Sequence, residues 1–437
     1  MINYKVSRLK DRTARASLKM ISEGLKRIEF HYGIILVRTR RFQSIMDRLG
    51  ANRISRPVGW FLLYVMPIAA AVGFYLFLSE LGVLLSPRGA AVASYVRSLS
   101  PLANLGLPGI NPYLPIVDGW IALVIAMIIH EGAHGIVARS LGLPVKSSGL
   151  LFFLFVPIGA FVDIEESALK EARNSYSGRV LAAGAGINLV VGLICLLLLL
   201  GTVSLMRPAS QQGVGVVVVD GSPLSKAGVE TYDYILAVNG TPLNDLSSIG
   251  NSQWYRINNT VTLTVWRDGS TFDRNVTIGY QEFENTSSGQ TFKLPFIGIS
   301  LGSPGSQSVS GLENIVSTYF GSAISRPVIY ICIPTLPVCQ GVVPFSDRMS
   351  PFYTSSLGPS LSPLANLLYW IFFLNFNLAI FNALPIYPLD GGQAFLVGVK
   401  ALGRGKLSEA RVMQITAVAT FAVLALILGV LAGPYIL

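Results

Sequence analysis

The sequence predicts a multi-pass α-helical membrane protein with one inserted α+β domain outside the cytosol and a short membrane-associated β-hairpin. Three observations lead there. Of 437 residues, 51% are hydrophobic and only 13% are charged, where a soluble domain carries about 25%. The whole net charge of +10 sits in residues 1–56, where 14 Lys/Arg stand against 4 Asp/Glu. Residues 207–310 are different in kind, polar with alternating apolar strands instead of long apolar runs.

A bilayer crossing takes about 20 apolar residues, and five stretches supply them. They are 58–79, 115–138, 180–206, a segment within 361–389, and 412–436. The first begins too late and runs too long for a cleavable signal. The basic block before it puts the N-terminus in the cytosol by the positive-inside rule. That block suits anionic lipid headgroups, so no nucleic-acid partner is expected. Counting from there, the second and fourth spans both return to the cytosolic side. Lys400, Arg404, Lys406 and Arg411 follow the fourth span, as the same rule asks. Between spans two and three, residues 148–163 are apolar but broken by Pro157 and Gly159. A hairpin dipping into the membrane and shielded by protein fits better than a span.

Within 207–310, the runs 213–219, 234–238 and 261–266 read as strands separated by Gly-rich and Asn-Gly turns. Topology puts this domain outside. Four N-x-Ser/Thr sequons, at Asn239, Asn258, Asn275 and Asn285, all fall inside it, and such sites are modified only on the outer face. Cys195 lies in a span and is expected to be inert. Cys332 and Cys339, seven apart in a Pro-rich outer segment, allow either a disulfide or two thiols.

The chemistry begins at His130-Glu131-Gly132-Ala133-His134. Residues i and i+4 share a helix face, so both imidazoles can bind one metal ion, and Glu131 can act as a general base on its water. Ionised groups inside an apolar span cost about 2.5–3.5 kcal/mol each, which favours a bound ion over a purely structural polar cluster. A catalytic zinc site takes three protein ligands. A third histidine six residues on is ruled out by Ser140, and His31 lies in the basic segment, where an ordinary polar role suffices. A carboxylate must complete the site. Asp163, Glu165 and Glu166 are close in sequence. Asp390 is the stronger candidate, as the first charge after Arg348 and at matching depth.

The stretch Asn382-Ala-Leu-Pro385-Ile-Tyr-Pro388-Leu-Asp390-Gly391-Gly392 resembles the second motif of the site-2 protease family, intramembrane zinc metalloproteases that pair it with HExxH in another span. The Gly-rich start of span three, Arg179 to Asn188, is similar to that family's third core span, with Ala185 where many members have Pro. Residues 215–243 are similar to the PDZ domain that many members carry outside the membrane. Residues 33–41 resemble the cytosolic lead-in of archaeal members. The resemblance implies Zn²⁺ held by His130, His134 and Asp390, with Glu131 as the catalytic base. It also implies that Asn382 contacts the substrate backbone, with Pro385 and Pro388 opening the helix beside the site.

The expected layout is a basic cytosolic segment at 1–56, a first membrane core at 57–206, the PDZ-like domain at 207–310, an outer linker at 311–360 and a second membrane core at 361–437. The expected function is hydrolysis of peptide bonds within or near transmembrane segments of membrane proteins. The expected partners are that substrate, the lipid bilayer and a peptide tail at the PDZ-like domain. The competing readings are a catalytically inactive PDZ-bearing membrane scaffold, which would have no use for Glu131, and a zinc carrier, which would show several ligand clusters along a path.

Overall fold

The computed structural model describes residues 28–31, 34–39, 41–104, 106–153, 156–245, 249, 252–284, 291–300, 308–325, 327–336, 339 and 341–436. A short helix, α1 (Arg41–Gly50), precedes α2 (Ser55–Leu84). After them come α3 (Gly89–Ser98), α4 (Ile116–Ser140), α5 (Glu166–Glu171), α6 (Asn174–Val203), α7 (Pro223–Lys226), α8 (Val309–Ser325), α9 (Leu361–Ala383), α10 (Asp390–Leu402) and α11 (Glu409–Ile436). Among the described residues, α2, α4, α6, α9 and α11 are long and apolar enough to cross a membrane. Each contains or overlaps an expected span. Lipid offers no hydrogen bonds, so a spanning segment must satisfy its backbone internally, as these helices do. Their outward faces are apolar too: Ile68, Val418 and Phe421 are all exposed.

The chain divides into two compact units, Met1–Cys195 with Trp370–Leu437, and Leu196–Tyr369. In the first, small residues bring the long helices close, as expected where lipid removes the hydrophobic drive to associate. A Cβ on Gly186 of α6 would lie 2.9 Å from Leu62 Cβ on α2, and one on Gly73 of α2 would lie 2.7 Å from Ile380 on α9. α4 ends where Gly142 takes φ +79° and Leu143 N–H donates back to the Ala138 carbonyl at 3.0 Å, a glycine-terminated helix end.

The expected hairpin is present as β3 (Val145–Phe153) and β4 (Val156–Ile164), and it belongs to a larger sheet. Two strands from the basic segment, β1 (Ile28–His31) and β2 (Ile34–Thr39), extend it to an antiparallel sheet in the order β1–β2–β3–β4. Arg38 ties the strands together. Its Nε donates to Glu29 Oε1 at 2.9 Å, and one terminal nitrogen donates to Ser147 Oγ at 2.8 Å and to Asp163 Oδ2 at 3.3 Å. The hydrogen bond and charge of Glu29 hold this guanidinium above its usual pKa. Gly149 is required in β3, because a Cβ there would overlap the Val37 carbonyl.

α1 packs on α4 through glycines. A Cβ on Gly135 would overlap the Met46 sulfur, and one on Gly50 would press on Arg139 Cβ at 2.7 Å. Asp47 adds an ion pair to Arg139 at 2.8 Å. The adjoining face of α1 leaves Phe42, Ile45 and Leu49 exposed.

The second unit holds an antiparallel sheet in the order β10–β9–β7–β6. It is built from β6 (Val214–Gly215), β7 (Tyr234–Val238), β9 (Thr260–Arg267) and β10 (Ser270–Thr277), with β8 (Thr241–Pro242) on β7. The short strands β5 (Arg207–Pro208) and β13 (Tyr353–Thr354) pair with each other, as do β11 (Gly279–Glu284) and β12 (Thr291–Phe296). Two tight turns set the register: Asn239-Gly240 between β7 and β8, and Asp268-Gly269 between β9 and β10. All four residues have positive φ, as a two-residue hairpin turn demands. Val216, Leu224, Ile235, Leu263 and Val265 fill the core. The sequon asparagines Asn239, Asn258 and Asn275 are exposed, and Asn285 lies outside the described residues.

The stretch expected as a linker carries structure of its own. α8 occupies its start, and Cys332 and Cys339 form a disulfide. Tyr234 Oη donates to the Phe352 carbonyl at 2.8 Å and Tyr353 Oη to the Leu312 carbonyl at 3.0 Å. The Tyr234 bond fastens the stretch to β7, the Tyr353 bond ties its two ends together, and β13 joins it to β5. Tyrosine hydroxyls buried among apolar neighbours need partners, and backbone carbonyls supply them here.

Candidate metal centre

His130 and His134 lie one turn apart on α4, and both are buried. Their ring centroids are 4.9 Å apart. Asp390 begins α10, and its Oδ2 lies 3.0 Å from Nε2 of each histidine. Among the described residues, this is the one group of three or more His, Cys, Asp or Glu whose donor atoms all lie within 4.8 Å of one another.

The local sequence explains how Asp390 arrives. Pro385 and Pro388 cannot continue α9, so the chain leaves the helix after Ala383 and re-enters one at Asp390. The freed backbone is satisfied from α11. Tyr387 N–H donates to Thr420 Oγ1 at 3.0 Å, and Thr420 Oγ1 donates to the Pro385 carbonyl at 3.2 Å. Gly391 and Gly392 let the new helix start tight against this turn. A Cβ on the first would overlap the Leu384 carbonyl, and one on the second the Tyr387 amide nitrogen.

Both imidazoles are held from behind. His134 Nδ1 sits 2.7 Å from the Val180 carbonyl, which can only accept, so Nδ1 carries a proton and the neutral ring presents its lone pair at Nε2. His130 Nδ1 faces the Asn188 side-chain amide nitrogen at 3.2 Å, while Asn188 Oδ1 is buried with no partner. Amide nitrogen and oxygen are assigned from their hydrogen bonds, and turning this amide over repairs both defects. Oδ1 then accepts from His130 Nδ1–H, and His130 takes the same tautomer as His134. With both rings neutral, two imidazole lone pairs and a carboxylate converge on one point, a donor set suited to a cation. Imidazole and carboxylate ligands at about 2.0–2.1 Å with tetrahedral angles suit zinc, and would stand ~3.3 Å from one another. Gly184 of α6 leaves the space: a Cβ there would lie 2.5 Å from His130 Nε2 and overlap His134 Nε2.

Glu131 turns to a different neighbour. Its Oε2 accepts the Val162 N–H of β4 at 2.9 Å. Alternate residues of an antiparallel strand turn their N–H away from the paired strand. Val162 is such a residue, and β4 is the last strand of its sheet. A free strand edge therefore runs past the glutamate.

The other carboxylates weighed for the third position are engaged elsewhere. Asp163 pairs with Arg38 at 3.3 Å, Glu165 with Lys146 at 3.5 Å, and Glu166 with Lys170. The His31 side chain lies outside the described residues. Asn382 donates Nδ2 to the Leu378 carbonyl of its own helix at 3.1 Å. Pro385 is half-buried and Pro388 exposed in the turn before Asp390. Sequence reasoning assigned no role to Asn188, Gly184, Val162 or Thr420. The Gly184–Asn188 spacing, one helical turn, is the signal that could have found the first two.

The sequence profile of peptidase family M50, the site-2 protease family, matches residues 119–427, a span that takes in α4, the β-rich stretch and the turn at Asp390. The chain belongs to peptidase family M50. This M50 chain is also similar to an uncharacterized protein of Methanocaldococcus jannaschii, at 24% identity over 82% of this chain and 75% of the relative. A protein of Mesorhizobium japonicum, named provisionally as a zinc metalloprotease, is 22% identical over 67% of this chain and 90% of its own length. The family and the five apolar helices make this M50 member an integral membrane protein, and membership supports a membrane-protease function.

Proposed function

We propose that this protein is a zinc endopeptidase that hydrolyses peptide bonds within or near transmembrane segments of other membrane proteins. The observation that carries the reading is the convergence of His130 Nε2, His134 Nε2 and Asp390 Oδ2, each 3.0 Å pair meeting beside Glu131. His130, His134 and Asp390 would hold the ion. Bound zinc supplies a Lewis acid and lowers the pKa of its water to about 7. Glu131 takes the proton from the attacking water and returns it to the leaving amine.

A transmembrane substrate hides its peptide bonds in a helix and must unwind first. The free edge of β4 offers a place to add an extended strand, and the outward Val162 N–H supports this. The Glu131 carboxylate caps that N–H now, so an arriving substrate carbonyl would take over the donor and release the base. Asn382 would hold substrate backbone, and Pro385 and Pro388 keep the adjoining backbone out of the helix. The β-rich region at 207–310 is proposed to be a PDZ-like domain outside the membrane, with the N-terminus in the cytosol. It would bind an extended peptide tail or exclude untrimmed ectodomains.

Purified protein, wild type and Glu131→Gln, tests the core of this reading by zinc analysis together with cleavage of a model transmembrane peptide. Zinc in both and a 10²- to 10⁴-fold slower reaction in the variant are expected. Equal rates would remove Glu131 from the mechanism, and absence of zinc would remove the metal.

A further inference from the structure

An apolar cavity of about 510 Å³ lies directly against Glu131. Of the residues that line it, Glu131 carries the one ionisable group. Its walls come from α4, α1, α2, α6 and one face of the sheet. The sheet wall is regular. Ala160 and Val162 of β4 line it, and so do their cross-strand partners Leu150 and Ser148 on β3. Residues two apart on a strand, together with their cross-strand neighbours, share one face. That face therefore looks into the cavity. Gly132 keeps the opposite wall open, since a Cβ there would meet nothing within 4 Å.

A strand added to the free edge of β4 continues this pattern by geometry. Every second side chain of the newcomer falls beside Ala160 or Val162, on the cavity face and next to the glutamate. We propose that the cavity is a side-chain binding site, which receives a large aliphatic or aromatic residue of the substrate at a position flanking the scissile bond. The site thereby selects where along an apolar segment the chain is cut. Transmembrane segments are rich in such residues, so the preference is for one register of an extended strand. The small Ala160 and Gly132 leave room for bulk, and walls that are apolar apart from Ser148 and Glu131 favour an apolar side chain over a polar one. The inference rests on the protease reading above.

The test uses full-length protein, and transmembrane peptides identical except for Ala, Leu, Phe or Asn scanned through the positions flanking the cleaved bond. Wild type is expected to favour Leu or Phe over Ala and Asn at one position by about tenfold or more in kcat/KM, the discrimination an apolar pocket gives for a missing methylene or two. Ile136→Trp narrows the cavity from α4. It should erase that preference while the Ala peptide is still cut and zinc content is unchanged. Val58→Trp narrows it from α2 and gives the same readout should the first variant fail to fold. Equal kcat/KM for all peptides on wild type would overturn the side-chain site and leave the protease reading standing. A preference untouched by both folded variants would do the same. Failure of zinc-loaded wild type to cut any peptide would overturn both.

Discussion

Two carboxylates, a buried one in one compact unit and a half-buried one in the other, are held in opposite ways. Asp233, 2% exposed, is matched inside its own domain. Arg267 grips it with Nε at 2.6 Å and a terminal nitrogen at 2.7 Å, and Glu230 N–H adds a third bond at 2.8 Å. The hydrogen bond and charge of Asp233 raise the Arg267 pKa. Asp390 instead meets two imidazoles whose outer nitrogens are already committed to Val180 and, through the turned amide, to Asn188. Among the described residues, its ion-pair partners are those two imidazoles, neither a fixed charge. A carboxylate that brings its own cation stabilises a fold. One that faces only lone pairs is waiting for a ligand.

Substitutions at three positions would break or sharpen this contrast. Asp390→Ala should have the largest effect. Zinc should be lost and peptide cleavage should fall by about 10³-fold or more, as when a catalytic group is removed, while the disulfide-bonded β-rich unit keeps its near-ultraviolet circular dichroism. Zinc retained at the wild-type level would make Asp390 as structural as Asp233. Asn188→Ala should act on the same site from behind. Losing the partner that orients a ligating histidine typically weakens metal binding 10–100-fold, measurable by zinc titration against a competing chelator. Asn188→Asp, which keeps the acceptor oxygen, should recover most of that loss, whereas an Asn188 that only packs would not distinguish the two variants. Asp233→Ala should be the mildest in function. It should lower the stability of the β-rich unit by about 2 kcal/mol, the scale of a hydrogen bond to a charged group, read by denaturant unfolding through Trp266 fluorescence. Zinc stoichiometry should not change.

The parts of the molecule that were legible in the chain are those governed by a local rule. A span needs only enough consecutive apolar residues, whatever its neighbours, so all five stretches correspond to helices. The histidine pair is one helical turn, also local. The tight turns in the β-rich region announce themselves as Asn239-Gly240 and Asp268-Gly269, because few other residues accept positive φ. The 148–163 hairpin was marked by the break at Pro157 and Gly159.

Other features were not legible because a distant partner creates them. Ile34-Ile-Leu-Val37 is a short apolar run of ambiguous preference. It becomes a strand because β3, more than 100 residues later, offers an edge to pair with. Residues 311–360 read as a linker since nothing in their composition reveals that Tyr234 and Tyr353 will find carbonyls to bind. Asn188 looks like a polar residue in an apolar helix until the fold sets it against His130, 58 positions earlier.

The sequence by itself determined that this is a membrane protein with five stretches apolar enough to cross, that two histidines share a helix face beside a glutamate, and that a helix break precedes Asp390. Backbone satisfaction in lipid and helical periodicity act within a few residues, so they can be read without coordinates. Only the tertiary structure decided that Asp390 Oδ2 lies between the two imidazoles, that Val180 and Asn188 hold their outer nitrogens, and that the free edge of β4 and an apolar cavity lie beside Glu131. Those arrangements depend on how small residues such as Gly184, Gly186 and Gly135 let helices close on one another. Close packing is a property of pairs of surfaces, and the order of residues along one chain does not state it.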